Sequence, residues 1–226
     1  MLTFLLSGEV SLFLSSLVVL ILAFAYHEFA HAIVADRLGD PTPRSFGRIS
    51  INPFVHLDRF GMLMLVLAGF GWAVTPVNPS FLRGNPRKSM ALVAIAGPAA
   101  NLLMATIAAV PLRLIQIGLI PVGLMPEWLV FFFSLGVELN LFLMFFNLMP
   151  IPPLDGFTVL MGIVPPDVAY RLEPLRQYGM PLLLGLIFLP VIIPQIPGLF
   201  EFLGPLVNFV YQLLVGLPMY AVGLLM

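Results

Sequence analysis

Residues 10–35 form a run of 26 positions in which the only charge-bearing side chains are His27, Glu28 and His31. A helix needs about 20 predominantly apolar residues to cross a bilayer, so this run is long enough to span one. Gly39 and Pro41 close it, with glycine just past the end and proline beyond. A chain built around such a segment is not an ordinary water-soluble domain, and its composition agrees. Of its 226 residues, 60% are hydrophobic and 9% charged, against about 25% charged in soluble domains. Mean hydropathy is +1.06. Lys and Arg number 10 against 11 Asp and Glu, a net charge of −1, which excludes the strongly basic face of a nucleic-acid binder. The absence of cysteine excludes disulfide scaffolds, iron–sulfur clusters and thiolate metal sites. The first residues carry no basic n-region, and the apolar stretch is too long for a cleavable signal.

Further apolar runs lie at 60–74, 89–112, 128–149, 181–193 and 202–226. Positive charges orient them. Arg37, Arg44, Arg48, Arg59, Arg83, Arg87 and Lys88 fall between the first helix and the run at 89–112, and Arg171 and Arg176 follow the run at 128–149. Both groups are expected on the cytoplasmic side, there to orient the chain and meet anionic lipid. That works only if the 15-residue run at 60–74 does not cross, since a full crossing needs about 20 residues. The expected fold is therefore an all-α polytopic membrane protein with about five transmembrane helices. A membrane re-entrant or short β-hairpin segment lies between the first helix and the next, tolerated because it packs against protein. On this reading the N-terminus faces outside and the chain ends at the cytoplasmic face. Residues 1–165 form the membrane-embedded core and 166–226 add C-terminal transmembrane helices. Ile49 and Ile51, in the alternating stretch 47–54, suggest a strand whose edge could receive an extended peptide.

The chemistry sits in His27-Glu28-Phe29-Ala30-His31. Two histidines four apart share one helical face and can chelate one zinc ion, with the adjacent Glu28 as general base. Ionisable groups inside a membrane helix are costly enough to be functional by default. The plainer alternative is a polar cluster that only joins helices. His31 precedes Asp36 by five residues, about 7 Å along a helix, so the site lies inside the bilayer near its cytoplasmic boundary. A catalytic zinc needs a third protein ligand and an open position. The candidates are His56 and the carboxylates. Asp155 follows the helix at 128–149, which runs from outside to inside, and it is flanked by Leu154 and Gly156 behind Pro150, Pro152 and Pro153. It is the expected partner; its alternative role is a helix N-cap. His56, in a loop after Pro53, lacks metal-ligand spacing and is expected to be a surface or structural residue. Asn101 and Asn147 flank the site, either to bind the substrate backbone or the developing oxyanion or to join helices. Gly97-Pro98 allows close helix approach or a kink.

With these motifs in place, the sequence resembles the site-2 protease family of intramembrane zinc metalloproteases. The resemblance rests on His27-Glu28-x-x-His31, on the block from Asn147 to Leu154-Asp155-Gly156, and on Gly97-Pro98-Ala99-Ala100-Asn101 between them. The stretches 52–61 and 69–79 are similar to the compact prokaryotic branch, and the likeness runs from about residue 10 to 165. Val74-Thr75 stands where many relatives have Lys-Pro, and no PDZ-like insertion or CBS pair is expected. The resemblance implies one zinc ion per chain held by His27, His31 and Asp155, with Glu28 as base. It further implies a transmembrane or juxtamembrane protein segment as substrate, cleaved in regulated intramembrane proteolysis. The expected setting is a prokaryotic cell membrane, with no nucleic-acid partner. Two other classes compete. A non-catalytic metal-binding chaperone or receptor would have no need for Glu28. A metal transporter would show repeats and polar residues along a whole pathway.

Overall fold

In the computed structural model, residues 6–58, 61, 63, 64, 74–193 and 195–225 are described. The expected re-entrant or hairpin segment at 60–74 falls almost wholly outside them. The described residues are helical, with no β-strand among them. Eight α-helices carry the argument: α1 (Val10–Arg37), α2 (Thr42–Ser45), α3 (Pro86–Gln116), α4 (Glu127–Asn147), α5 (Asp155–Ile163), α6 (Pro166–Leu172), α7 (Gly179–Ile192) and α8 (Leu199–Val215). The strand suggested at 47–54 is not there. Turns and bends lead into a 3-10 turn at Pro53–Val55, opened by the Asn52 side chain accepting from the Phe54 N–H at 3.1 Å. Pro53 also removes a donor that a strand ladder would use.

Local chemistry sets the helix ends. At the end of α1, Asp40 N–H donates to the Ala35 carbonyl and Gly39 N–H to that of Asp36, both at 3.0 Å. This paired closure needs a left-handed residue, and Gly39 sits at φ +107°. Asn85 begins α3 by accepting from the N–H groups of Arg87 and Lys88, with Pro86 in the first turn. Asp40 is fully buried; its carboxylate accepts from Thr42 N–H at 2.9 Å and Asn78 N–H at 2.7 Å. It thereby ties the chain leading into α3 to the end of α1.

Four stretches among the described residues are long and apolar enough to cross a membrane: Val10–Arg37, Pro86–Gln116, Glu127–Asn147 and Glu201–Leu225. The expectation of about five counted the segment that forms α7. That helix has 14 residues, about 21 Å of rise against a hydrocarbon core of about 30 Å. Helix directions follow from paired contacts. On α1 and α3, His31 meets Val93 and His27 meets Asn101, so these helices are antiparallel. On α3 and α8, Arg113 donates to the Val215 carbonyl at 3.3 Å, while the Tyr211 and Ser134 hydroxyls of α8 and α4 lie 2.9 Å apart. Helix α8 therefore runs parallel to α3 and antiparallel to α4. The end of α8 lies on the same side as the end of α3, not on the side where α3 begins, as a five-helix count requires.

The core joins α3, α4 and α8. Ala105, Ala109 and Leu112 pack against Val130, Val137 and Leu141, and against Val207, Tyr211 and Val215. Alanines on α3, and Gly136 facing Ala108 on α4, let backbones approach closely, which is how apolar helices associate in lipid. The stretch 166–226 thus contributes to the same buried cluster as the helices before it.

Candidate metal centre

Antiparallel packing of α1 on α3 places two imidazoles against Gly97. A Cβ at Gly97 would lie 2.5 Å from His27 Cε1, His27 Nε2 and His31 Nε2, so only glycine lets α3 pass there. The expected close approach at Gly97-Pro98 occurs at this point. His27, Glu28 and His31 are all buried, and each offers a ligand atom within 4.8 Å of the others. The two rings meet edge to face with centroids 4.6 Å apart.

Each ring is held from behind. His31 Nδ1 lies 2.7 Å from the Val93 carbonyl oxygen. His27 Nδ1 lies 2.6 Å from Asn101 Oδ1. The carbonyl can only accept. The Asn101 amide is turned by its own bonds, because Nδ2 donates to the Ala23 carbonyl at 3.3 Å and to Asn140 Oδ1 at 3.0 Å. Asn140 Nδ2 in turn donates to the Gly136 carbonyl at 2.8 Å. Both Nδ1 atoms therefore carry their proton, and as neutral rings both Nε2 atoms would present lone pairs forward.

Asp155 meets those lone pairs. Its Oδ2 lies 3.1 Å from His27 Nε2 and 3.3 Å from His31 Nε2, yet it is buried and accepts no hydrogen bond. With both rings neutral, these three electron-rich atoms face one another as a ligand set does, and a cation would join them. Tetrahedral zinc with bonds of about 2.0–2.1 Å sets its ligand atoms about 3.3 Å apart, and the observed separations match. Two imidazole nitrogens and one carboxylate oxygen are also the donor chemistry of a catalytic zinc with an open position. The residues present fit the metal. Asp155 is not the N-cap of α5: the cap position is Leu154, with no side-chain cap bond. A Cβ at Gly156 would lie 2.2 Å from the Leu148 carbonyl oxygen, so glycine is needed for the chain to fold back behind Asp155.

The other sequence candidates lie as follows. Asn101 is fully buried with both ends of its amide engaged; it faces His27 and presents no free group to a substrate. Asn147 is half-buried, and its Nδ2 donates to the Leu143 carbonyl of its own helix at 3.0 Å. His56 is 1% exposed, so it is not a surface residue. Its Nε2 donates to the Ser50 carbonyl at 2.7 Å, its ring lies edge-on to Phe29, and its buried Nδ1 has no hydrogen-bond partner. Burial pushes the His56 imidazole below its ordinary value. Two residues were not singled out in the sequence. Asn140 steadies Asn101; with Glu138 and Asn147 on the same helix, it carried no distinct signal of its own. Thr75, noted in the sequence only as part of Val74-Thr75, donates its hydroxyl to the Glu28 carbonyl at 3.0 Å, a contact of which the sequence carries no sign.

Comparisons with known proteins point to zinc metalloproteases. The profile described as Peptidase family M50 matches residues 15–119. A Bacillus subtilis (strain 168) protein named "Putative zinc metalloprotease YwhC" is 42% identical over 176 residues, 77% of this chain and 80% of that protein. Proteins carrying the same description with the name Rip2 are similar at lower identity. The one from Mycolicibacterium smegmatis is 27% identical over 181 residues, 76% of this chain and 66% of its own. The one from Mycobacterium tuberculosis (strain H37Rv) is 29% identical over 179 residues, with the same coverage. No solved structure matches.

Proposed function

The chain belongs to peptidase family M50, the site-2 protease family of zinc metalloproteases, and from that premise we propose that it cleaves a transmembrane or juxtamembrane segment of a membrane protein at a centre inside the bilayer. The observation that carries this reading is the unpartnered Asp155 Oδ2 facing two Nε2 lone pairs in a chain with four helices able to cross a membrane. His27, His31 and Asp155 hold one zinc ion, and Glu28 is the general base. When bound, the metal supplies a Lewis acid that acidifies water and polarises the scissile carbonyl.

The chain's own groups do the rest. Glu28 takes the proton of the attacking water as the new C–O bond forms, then passes it to the leaving amine as the C–N bond breaks. Asn101 and the Val93 carbonyl keep both imidazoles in the ligand tautomer, the usual task of groups behind a metal ligand. Buried between α1, α3 and α5, the site limits water to what the reaction consumes. The substrate helix must unwind locally, because its carbonyls are occupied by intrahelical bonds; helix-breaking residues near the cleaved bond should speed the reaction. The positive residues flanking the end of α1 and the start of α3 support a site near the cytoplasmic face, in what this reading takes to be a prokaryotic cell membrane. Asn147, with its amide oxygen not committed to α4, is the residue best suited to contact the substrate.

Glu28→Gln tests the assignment. Zinc content measured by elemental analysis should equal that of the wild type, while cleavage of a reporter transmembrane substrate falls by about 10²-fold or more, the usual weight of a general base. Cleavage at the wild-type rate would remove Glu28 from the role.

A further inference from the structure

Arg87 stands in the first turn of α3, at the positive end of that helix, where a cation is disfavoured. Its side chain does not serve its own helix. Nε donates to the Met161 carbonyl at 3.1 Å, and Nη2 donates to the same oxygen at 2.6 Å and to the Val164 carbonyl at 2.7 Å. These carbonyls lie at the C-terminal end of α5, where helix carbonyls lack intrahelical partners. Here the shortage is enforced by sequence. The residue four places beyond Met161 is Pro165, followed by Pro166, and neither has an N–H to give. The guanidinium fork takes their place, and its charge matches the negative end of α5. Directly beside it, α5 lies flush on α3. A Cβ at Gly162 would sit 2.3 Å from Ala91 Cβ and 3.0 Å from the Arg87 carbonyl oxygen.

The other end of this nine-residue helix is Asp155. One short helix, rigid over about 13 Å, thus has its last turn clamped to the start of α3 and its first residue presented to the two histidines.

We propose that Arg87 is a positioning residue for the metal: by clamping the C-terminal carbonyls of α5 to α3, it fixes where the Asp155 carboxylate stands. It does more than mark the cytoplasmic side of the chain. Arg83 and Lys88, its exposed neighbours, carry the same charge without this contact. The proposal rests on Asp155 being a zinc ligand, as proposed above.

The test is zinc affinity of the purified full-length protein, by competition with a chromophoric chelator. Arg87→Gln should weaken zinc binding by about 10–100-fold, the range for groups that orient a ligand. Arg87→Lys should recover only part of the loss, since one ammonium cannot reproduce the fork. Lys88→Gln, which removes the same charge one residue away, should leave affinity within twofold. Gly162→Ala keeps Arg87 but pushes α5 off α3, and should weaken binding as well. The decisive arm repeats Arg87→Gln and Gly162→Ala in an Asp155→Ala background, where neither should have a further effect. Equal losses with and without Asp155 would mean general destabilisation and would overturn the proposal, as would wild-type affinity in Arg87→Gln. Should Arg87→Gln not fold, the Lys and Gly162 variants decide by the same criterion. Wild-type affinity in Asp155→Ala alone would instead reject the ligand assignment beneath it.

Discussion

A buried carboxylate oxygen with no hydrogen bond is an expensive object, and Asp155 Oδ2 is one. Two imidazoles, each with its Nδ1 proton committed elsewhere, face it, and as neutral rings neither can donate to it. Those protons are held by a relay of amides from Gly136 through Asn140 and Asn101 to His27 on one side, and by the Val93 carbonyl behind His31 on the other. At this scale the prediction concerns Asn101. Asn101→Ala leaves the His27 Nδ1–H without an acceptor, so the ring is free to turn or change tautomer. Zinc affinity should fall about 10–100-fold, read by chelator competition, with Asn101→Gln no better because the longer amide does not fit a fully buried position. The histidines, Glu28 and Asp155 stood out in the sequence because ionisable groups in or beside an apolar run are costly, although a helix-joining cluster and an N-cap were the plainer alternatives. Asn101 was legible as a polar residue but not in its direction, since nothing in the sequence says which of its neighbours it faces. Asn140 was not legible, because one amide among several says nothing of what it touches.

Among the helices, the controlling feature is how closely α1, α3 and α5 approach. Gly97 and Gly162 are the two points where α3 meets the histidines and α5 without room for a methyl group. A Gly97→Ala Cβ at 2.5 Å from three ring atoms must displace them by about 1 Å to reach ordinary contact near 3.5 Å. A misplacement of that size can cost about 10²-fold in rate, so cleavage of the reporter substrate by Gly97→Ala should fall at least that far. Gly204→Ala, where a Cβ meets nothing within 4 Å, should cleave normally. The spanning helices α1, α3 and α4 were readable from apolar run length and the glycine and proline stops. The suggested strand at 47–54 was misread, because two alternating isoleucines are too short a pattern to outweigh Pro53 and the Asn52 turn.

For the whole molecule, direction matters more than helix number. With α8 parallel to α3, the loop 117–126 and the turn at Gly216 that ends α8 lie at the same end of the bundle. Reporter fusions or accessibility labelling at those two places should give the same side; opposite sides would restore the five-crossing topology. Run length alone does not decide here, since residues 181–193 are apolar but short for a spanning segment, and packing against α3 and α4 gives the direction of α8. The proposed centre is one zinc ion held between α1 and α5, which both run antiparallel to α3. Elemental analysis of the purified protein beside His27→Ala and Asp155→Ala tests it most directly. About one zinc per wild-type chain, and well below one in both variants because the remaining ligands hold it more weakly, is the predicted result. Full zinc in Asp155→Ala would contradict it, and would turn attention to His56, whose buried Nδ1 lacks a partner.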